Sequence, residues 1–350
     1  MVKTKAIFDR KNILITGGAG FIGSHLCDEL VRDNNVICLD DFSSSRVENI
    51  NHLLALPNFE FIRHDISKPI DLKEYHELDK FKIRFQGIQE IYHLACPTSP
   101  KNFNNLRIKT LRANAYGTVN VMELALEYKA KVVFTSSVVV YGPRFTKAPA
   151  YTEDYFGYVN FSGPRSCYDE GKRFAETVVV TYRDMYNLEA KIARIFRTYG
   201  PRLSLFDGHM LPDFVLQALN NKPLIIYGDE DFSTSLCYVS DVVEGLIKMM
   251  KSSELGPMNF GNDKEFKMVD IANRIKQMTN SNSPVVFRDP LLFMTPLGLP
   301  DITLAKEKLG WYPLISLEEG LIKTIDYVKA NNNVLQPMLW KYNEAEGNNL

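Results

Sequence analysis

The sequence predicts an α/β fold: a doubly wound parallel sheet, followed by a smaller C-terminal α/β domain. Three observations carry this reading. The apolar run Ile13-Leu14-Ile15 breaks at a glycine-rich turn, and apolar residues at helical spacing follow at once. Short apolar runs then alternate with helical patterns to about residue 196, the rhythm of a parallel sheet covered on both faces. Beyond Pro201 the chain changes to short segments broken by proline and glycine, such as Lys222-Pro223-Leu224-Ile225-Ile226-Tyr227-Gly228.

The first turn is the most informative stretch. In Gly17-Gly18-Ala19-Gly20-Phe21-Ile22-Gly23, Gly17 permits a tight turn, Gly20 leaves room for a pyrophosphate, and Gly23 lets the helix pack on the strand. Amides at the start of that helix, at Phe21 and Ile22, face the phosphates, where the helix dipole favours negative charge. The spacing is GxxGxxG, one residue wider than the common dinucleotide fingerprint, and the strand–turn–helix context makes it a Rossmann-type turn. The second strand, Val36 to Asp41, ends in carboxylates. Asp40 is placed to hydrogen-bond the adenosine ribose hydroxyls and to repel a 2′-phosphate, which favours NAD over NADP. Ser43 opens the polar loop that follows, in which Arg46 meets either the cofactor phosphates or water.

Alternation over Phe59 to Ile66 predicts a third strand, with Asp65 and Ile66 ending near the adenine. Residues 67–87 are charged and aperiodic and read as a helix with a loop. A fourth strand, Glu90 to Cys96, puts Leu94 and Ala95 beside the cofactor and is closed by Pro97-Thr98-Ser99-Pro100. A helix over about 109–128, a fifth strand from Lys131 to Ser137, a helix over 168–186 and a sixth strand from Lys191 to Phe196 complete the pattern. The expected domains are 1–200, joined by parts of 228–262, for the cofactor; 201–335 as a substrate-binding cap; and 336–350 as a loose polar tail.

Composition narrows the function. With 45% hydrophobic and 24% charged residues and a net charge of −1, nothing calls for nucleic acid or an anionic membrane. Five scattered cysteines fit reduced thiols better than a disulfide framework, and six dispersed histidines predict no metal site. The polar N-terminal residues offer no signal or anchor pattern, so a cytoplasmic protein is expected.

Tyr168 and Lys172 lie one helical turn apart and share a face. A phenol is a poor base at neutral pH. A neighbouring ammonium, with the positive charge of oxidised nicotinamide, favours phenolate. Tyr168 is then placed to take a proton from a sugar hydroxyl as hydride leaves the same carbon, with Ser137 holding that oxygen.

These residues resemble the extended short-chain dehydrogenase/reductase family through Gly17/Gly20/Gly23, Asp40, Ser137 and Tyr168/Lys172. Within it the chain is similar to the UDP-glucuronate decarboxylases. The similarity rests on Arg63-His64-Asp65-Ile66, on His93 to Pro100, on Gly163-Pro164-Arg165-Ser166-Cys167-Tyr168-Asp169-Glu170-Gly171-Lys172-Arg173, and on Tyr199-Gly200-Pro201-Arg202 and Pro300-Asp301-Ile302. The resemblance implies bound NAD, oxidation of a UDP-linked sugar at C4, loss of carbon dioxide from the β-keto acid, and return of the hydride. It also implies a homodimer built on a helix bundle. Substrate contacts are implied at Pro97, Ser99, Val139, Arg165, Arg197, Arg202 and Thr234.

Four of the family's positions differ. Its catalytic glutamate is Val139, its asparagine before Thr-Tyr-Gly-Pro is Arg197, an arginine that grips phosphate is Thr234, and an arginine run before Pro-Asp-Ile is Leu297-Gly298-Leu299. Three functions therefore stand open: a decarboxylase-like nucleotide-sugar enzyme, a 4-epimerase or dehydratase acting on another sugar, and a catalytically silent NAD-bound sensor.

Overall fold

The computed structural model describes residues 10–98, 103–144, 150–292, 294 and 296–338. Strands β1 (Asn12–Thr16), β2 (Asn35–Asp40), β3 (Phe59–Arg63), β4 (Glu90–His93), β5 (Lys131–Ser137), β6 (Ala190–Ile195) and β7 (Met258–Phe260) form one sheet in the order β7-β6-β5-β4-β1-β2-β3. Every pairing in it is parallel. Alternate residues of each strand feed opposite cores. Ile13, Ile15, Val36 and Cys38 join one apolar cluster, and Leu14, Ile37 and Leu39 join the other. Helix α1 (Phe21–Leu30) covers the first face, and helices α2 (Phe103–Arg112), α3 (Thr118–Tyr128) and α4 (Ser166–Tyr186) belong to the second. Strand order reverses between β1 and β4, so a crevice opens at their carboxyl ends.

Several elements differ in extent from the sequence reading. Residues 67–87 are not a regular helix: they form 3₁₀ turns and one short α-turn, Ile83–Gln86, that bury Leu72, Leu78, Phe81 and Ile83 one by one. β3 and β4 stop at Arg63 and His93, which leaves Asp65, Ile66, Leu94 and Ala95 in the turns beyond them. The helix expected from about 109 begins at Phe103 and passes through a π turn, Ala113–Gly117, before α3. That turn points Asn114 inward, where its Nδ2 donates to Thr110 O (3.0 Å) and Cys96 Sγ (3.3 Å).

Beyond β6 smaller sheets take over. Leu224–Tyr227 pairs parallel with Val285–Arg288, and Ser233–Ser235 pairs antiparallel with Glu265–Lys267. Between them Val239–Lys251 and β7 return to the main sheet. Trp311 is fully buried and donates from Nε1 to Asp241 O at 2.8 Å. Of the expected tail, residues 339–350 lie outside the described residues, and the chain leading into it is docked. Leu335 is buried, Gln336 Nε2 donates to Asn220 Oδ1 (3.0 Å), and Arg46 Nη1 meets Met338 Sδ at 3.1 Å. Among the described residues no helix is long and apolar enough to cross a membrane.

Candidate active site

A cavity of about 310 Å³ lies at the carboxyl ends of the central strands. Its floor is the glycine turn. Gly17 has φ +72°, and a Cβ there would sit 2.8 Å from Ala95 N. A Cβ on Gly23 would fall on the carbonyl oxygen of Gly17, so this helix reaches its strand only without a side chain. A Cβ on Gly20 would meet nothing but Gly17 O at 3.1 Å, which leaves its other side open. This is a backbone cradle shaped for a pyrophosphate.

At the far end Asp40 accepts bonds from Ala19 N (3.1 Å), Phe42 N (2.9 Å) and Ser45 Oγ (2.6 Å). Burial raises its pKa against those three bonds. Beside it Asp41 pairs with Lys109 at 2.5 Å and accepts from Ser43 N at 2.9 Å. Burial opposes ionisation of Asp41, but the bonds from Lys109 and Ser43 outweigh it and hold the carboxyl below its usual range. Asp65 caps its own turn by accepting from Ser67 N and Oγ, and it lines the cavity with Ile66, Leu94 and Ala95. Glycines, carboxylate and apolar walls together fit NAD.

Tyr168, in the first turn of α4, shares a hydrogen bond with Ser137 at the end of β5. Burial pushes the phenol pKa well up, and Ser137 and Arg165 oppose that rise. Lys172 does not bond the phenol. Its Nζ donates to Thr135 O at 2.8 Å and lies 4.8 Å from the centre of the Phe134 ring, and burial lowers its pKa. Burial is the largest influence on both groups, raising the phenol and lowering the lysine. Behind them His93 is held by Thr16 Oγ1 (2.7 Å) and Thr118 Oγ1 (3.3 Å). Burial and the charge of Lys172 lower its pKa to about 3, so it is neutral.

The same cavity is also lined by Pro97, Val139, Arg165, Arg197, His209, Met294 and Leu297. Val139 is buried in the 3₁₀ turn Val138–Tyr141, whose start is capped by Ser137 Oγ. Arg165 forks onto Asp169, with Nη2–Oδ1 at 3.1 Å and Nε–Oδ2 at 3.2 Å. Arg197 follows β6, and burial, then the like charge of Arg165, lowers its pKa to about 10.

Two expected substrate residues are not brought here. Arg202, at φ +67°, turns away to pair with Asp28 Oδ2 at 2.8 Å. Thr234 is buried in the strand Ser233–Ser235, its hydroxyl donating to Ser235 O. Gly298 is covered by the ring of Tyr151 rather than open to the cavity. Ser99 lies outside the described residues. Sequence reasoning missed Lys109, Ser204, Asp207 and His209, which also line the cavity. Lys109 sits on a helix with no local sign of its pairing to Asp41, and the other three belong to an irregular loop with no periodicity.

Comparison with known proteins agrees with this geometry. The family model described as the NAD dependent epimerase/dehydratase family matches residues 13–261. UDP-glucuronic acid decarboxylase 4 of Arabidopsis thaliana is 43% identical over 310 residues, which cover 88% of this chain and 66% of that protein. The chain thus spans just under two-thirds of that relative. UDP-glucuronic acid decarboxylase 1 of Xenopus tropicalis is 42% identical, covering 93% and 76%. Among solved structures, UDP-glucuronic acid 4-epimerase of Bacillus cereus, in complex with UDP-glucuronic acid and NAD, aligns with a TM-score of 0.80 at 26% identity, covering 91% and 99%.

Proposed function

Because this chain belongs to the NAD dependent epimerase/dehydratase family, we propose that it is a nucleotide-sugar enzyme that oxidises UDP-glucuronate at C4 and then decarboxylates it. The observation that carries the reading is the convergence of Ser137, Tyr168 and Lys172 on the cavity floored by the glycine turn. Identity of 43% to a UDP-glucuronic acid decarboxylase supports the choice of sugar.

The residues that would hold NAD are Gly17, Gly20, Phe21 and Ile22 at the pyrophosphate, Asp40 and Ser43 at the ribose, and Asp65, Ile66, Leu94 and Ala95 around the adenine end. When bound, NAD supplies a hydride acceptor at the sugar. Ser137 and Tyr168 then hold the C4 oxygen between them, and Tyr168, as phenolate, would take its proton. Lys172 steadies that end of β5 through Thr135 O. A carboxylate β to a ketone leaves as carbon dioxide, its electron pair passing into the enolate and C5 then taking a proton from water, so Val139 is compatible with decarboxylation. Tyr168 hands its proton back when the C4 oxygen becomes a hydroxyl again.

Apolar, buried Val139 favours a second reading, a 4-epimerase that keeps the carboxylate. Incubation with UDP-glucuronate followed by proton NMR separates the readings. Carbon dioxide with a UDP-pentose or its 4-ketone supports the first, and a C4 epimer with its carboxylate intact supports the second. A protein that is silent at high enzyme concentration, and whose biological role survives Tyr168→Phe, is a sensor.

A homodimer belongs to the same proposal. Ile108 (63% exposed), Leu111, Tyr116, Phe174 and Tyr186 leave apolar side chains uncovered on helices of one face, as a bundle formed with a second copy requires. Light scattering on the purified protein gives the mass. A cytoplasmic location is also proposed, since the five cysteines are all free thiols.

A further inference from the structure

The substrate wall contains a cation without an anion. Arg197 lies between a buried phenylalanine and a cavity-lining threonine, and its main chain is pinned on both sides: Phe196 N donates to Phe260 O (2.9 Å), and Arg197 O accepts from Cys237 N (3.0 Å). Its guanidinium has no hydrogen-bond or ion-pair partner among the described residues. The one charge that acts on it is Arg165, of the same sign. The stretches 99–102 and 145–149 and positions 293 and 295 contain no aspartate or glutamate to neutralise it.

The neighbouring arginines show what a settled cation looks like in this fold. Arg165 is forked onto Asp169. Arg194 is forked onto Glu176 at 2.7 and 2.9 Å and also donates to Tyr141 Oη and Glu153 O. A half-buried guanidinium beside a like charge and with no anion is costly to hold. It persists where a ligand completes it, and its planar fork matches a carboxylate or phosphate.

We propose that Arg197 is an oxyanion-binding residue of the substrate cleft, completed by an anionic group of the bound sugar nucleotide. The inference rests on the nucleotide-sugar reading above and adds a substrate requirement to it: an acidic oxygen pair that reaches Arg197. That pair comes either from a carboxylate on the sugar or from the diphosphate.

Titration calorimetry with NAD-loaded protein tests this in a Tyr168→Phe background, which keeps substrates unreacted. The probes are UDP-glucuronate, UDP-glucose and UDP, each measured with Arg197, Arg197→Gln and Arg197→Lys. Affinity for UDP-glucuronate falls about tenfold or more in Arg197→Gln, the least expected from a lost charge-assisted bond, and recovers in part in Arg197→Lys. Loss confined to UDP-glucuronate assigns the sugar carboxylate, and equal loss for all three probes assigns the diphosphate. Thermal unfolding adds a readout independent of binding. Without ligand, Arg197→Gln melts at or above the parent temperature, because it removes a repelled cation. Unchanged affinities with a parent that binds overturn this inference alone, and so does a lowered melting temperature with unchanged affinities. A parent that binds none of the probes overturns the nucleotide-sugar reading and this inference with it.

Discussion

Lys172 Nζ and Thr135 O stand 2.8 Å apart in a buried contact that ties helix α4 to strand β5 just before Ser137. The proposed role of the lysine toward the phenol thus has a positional part as well as an electrostatic one. Lys172→Met removes both and strands the carbonyl, at a cost of about 1–3 kcal/mol in stability. Turnover is expected to fall by about 10²-fold or more, and its pH optimum to move upward. Rate–pH profiles beside urea melts separate the two effects. A profile that keeps its shape while stability drops refutes the electrostatic part.

Tyr168→Phe removes the proton acceptor and leaves the ring packing in place. Turnover should fall by about 10²–10⁴-fold with the melting temperature within a few degrees of the parent. Steady-state kinetics and a thermal melt check this. Retention of near-parent activity would reassign the proton transfer.

Gly23→Ala places a methyl on the carbonyl oxygen of Gly17, a backbone atom with no rotamer to escape through. The turn has to move, at about 1–3 kcal/mol, and the cradle moves with it. NAD retained through gel filtration, read by absorbance, should drop sharply, while UDP binding changes less.

Asp41 holds Lys109 at 2.5 Å beside the ribose carboxylate. Asp41→Asn frees an ammonium at the adenosine end and lessens the charge that repels a 2′-phosphate. The ratio of NADP to NAD dissociation constants should fall by about tenfold, the scale of a 1.4 kcal/mol change. An unchanged ratio means Asp40 alone sets the preference.

His93, at about 3, and His25, at about 4, are both held below the ordinary imidazole value by burial. A lowered folded-state pKa means the unfolded chain binds the proton first. Stability from these groups is whole above about pH 6.5 and is lost as pH falls toward 4 and 3. Each group contributes up to about 2 kcal/mol of loss at pH 5. Melting temperatures from pH 7.5 to 5 should therefore decline, and more gently in His93→Gln.

The strands were legible because each is an apolar run whose alternate residues feed two cores, as Leu14 and Ile15 do. The glycine turn and the order Asp40, Ser137, Tyr168, Lys172 were legible because strand ends collect ligands in any doubly wound sheet. What local pattern cannot register is a contact made across the fold. The π turn holds Gly117 against Ile66, and residues 67–87 bury single side chains without a period. Only resemblance points Arg202 and Thr234 to the cleft, and a left-handed backbone with Asp28 nearby, or a strand pairing, takes them elsewhere.

The ring of Tyr151 occupies the space a side chain at position 298 would need, and it is itself stacked on Tyr155 at 5.3 Å and tilted against Tyr141 at 5.1 Å. Restoring a long residue at 298 would demand that this whole aromatic group be rebuilt around it. A single Gly298→Arg change therefore cannot bring back a cationic side chain there without displacing Tyr151, so the lack of charge at this position is tied to the packing of three rings.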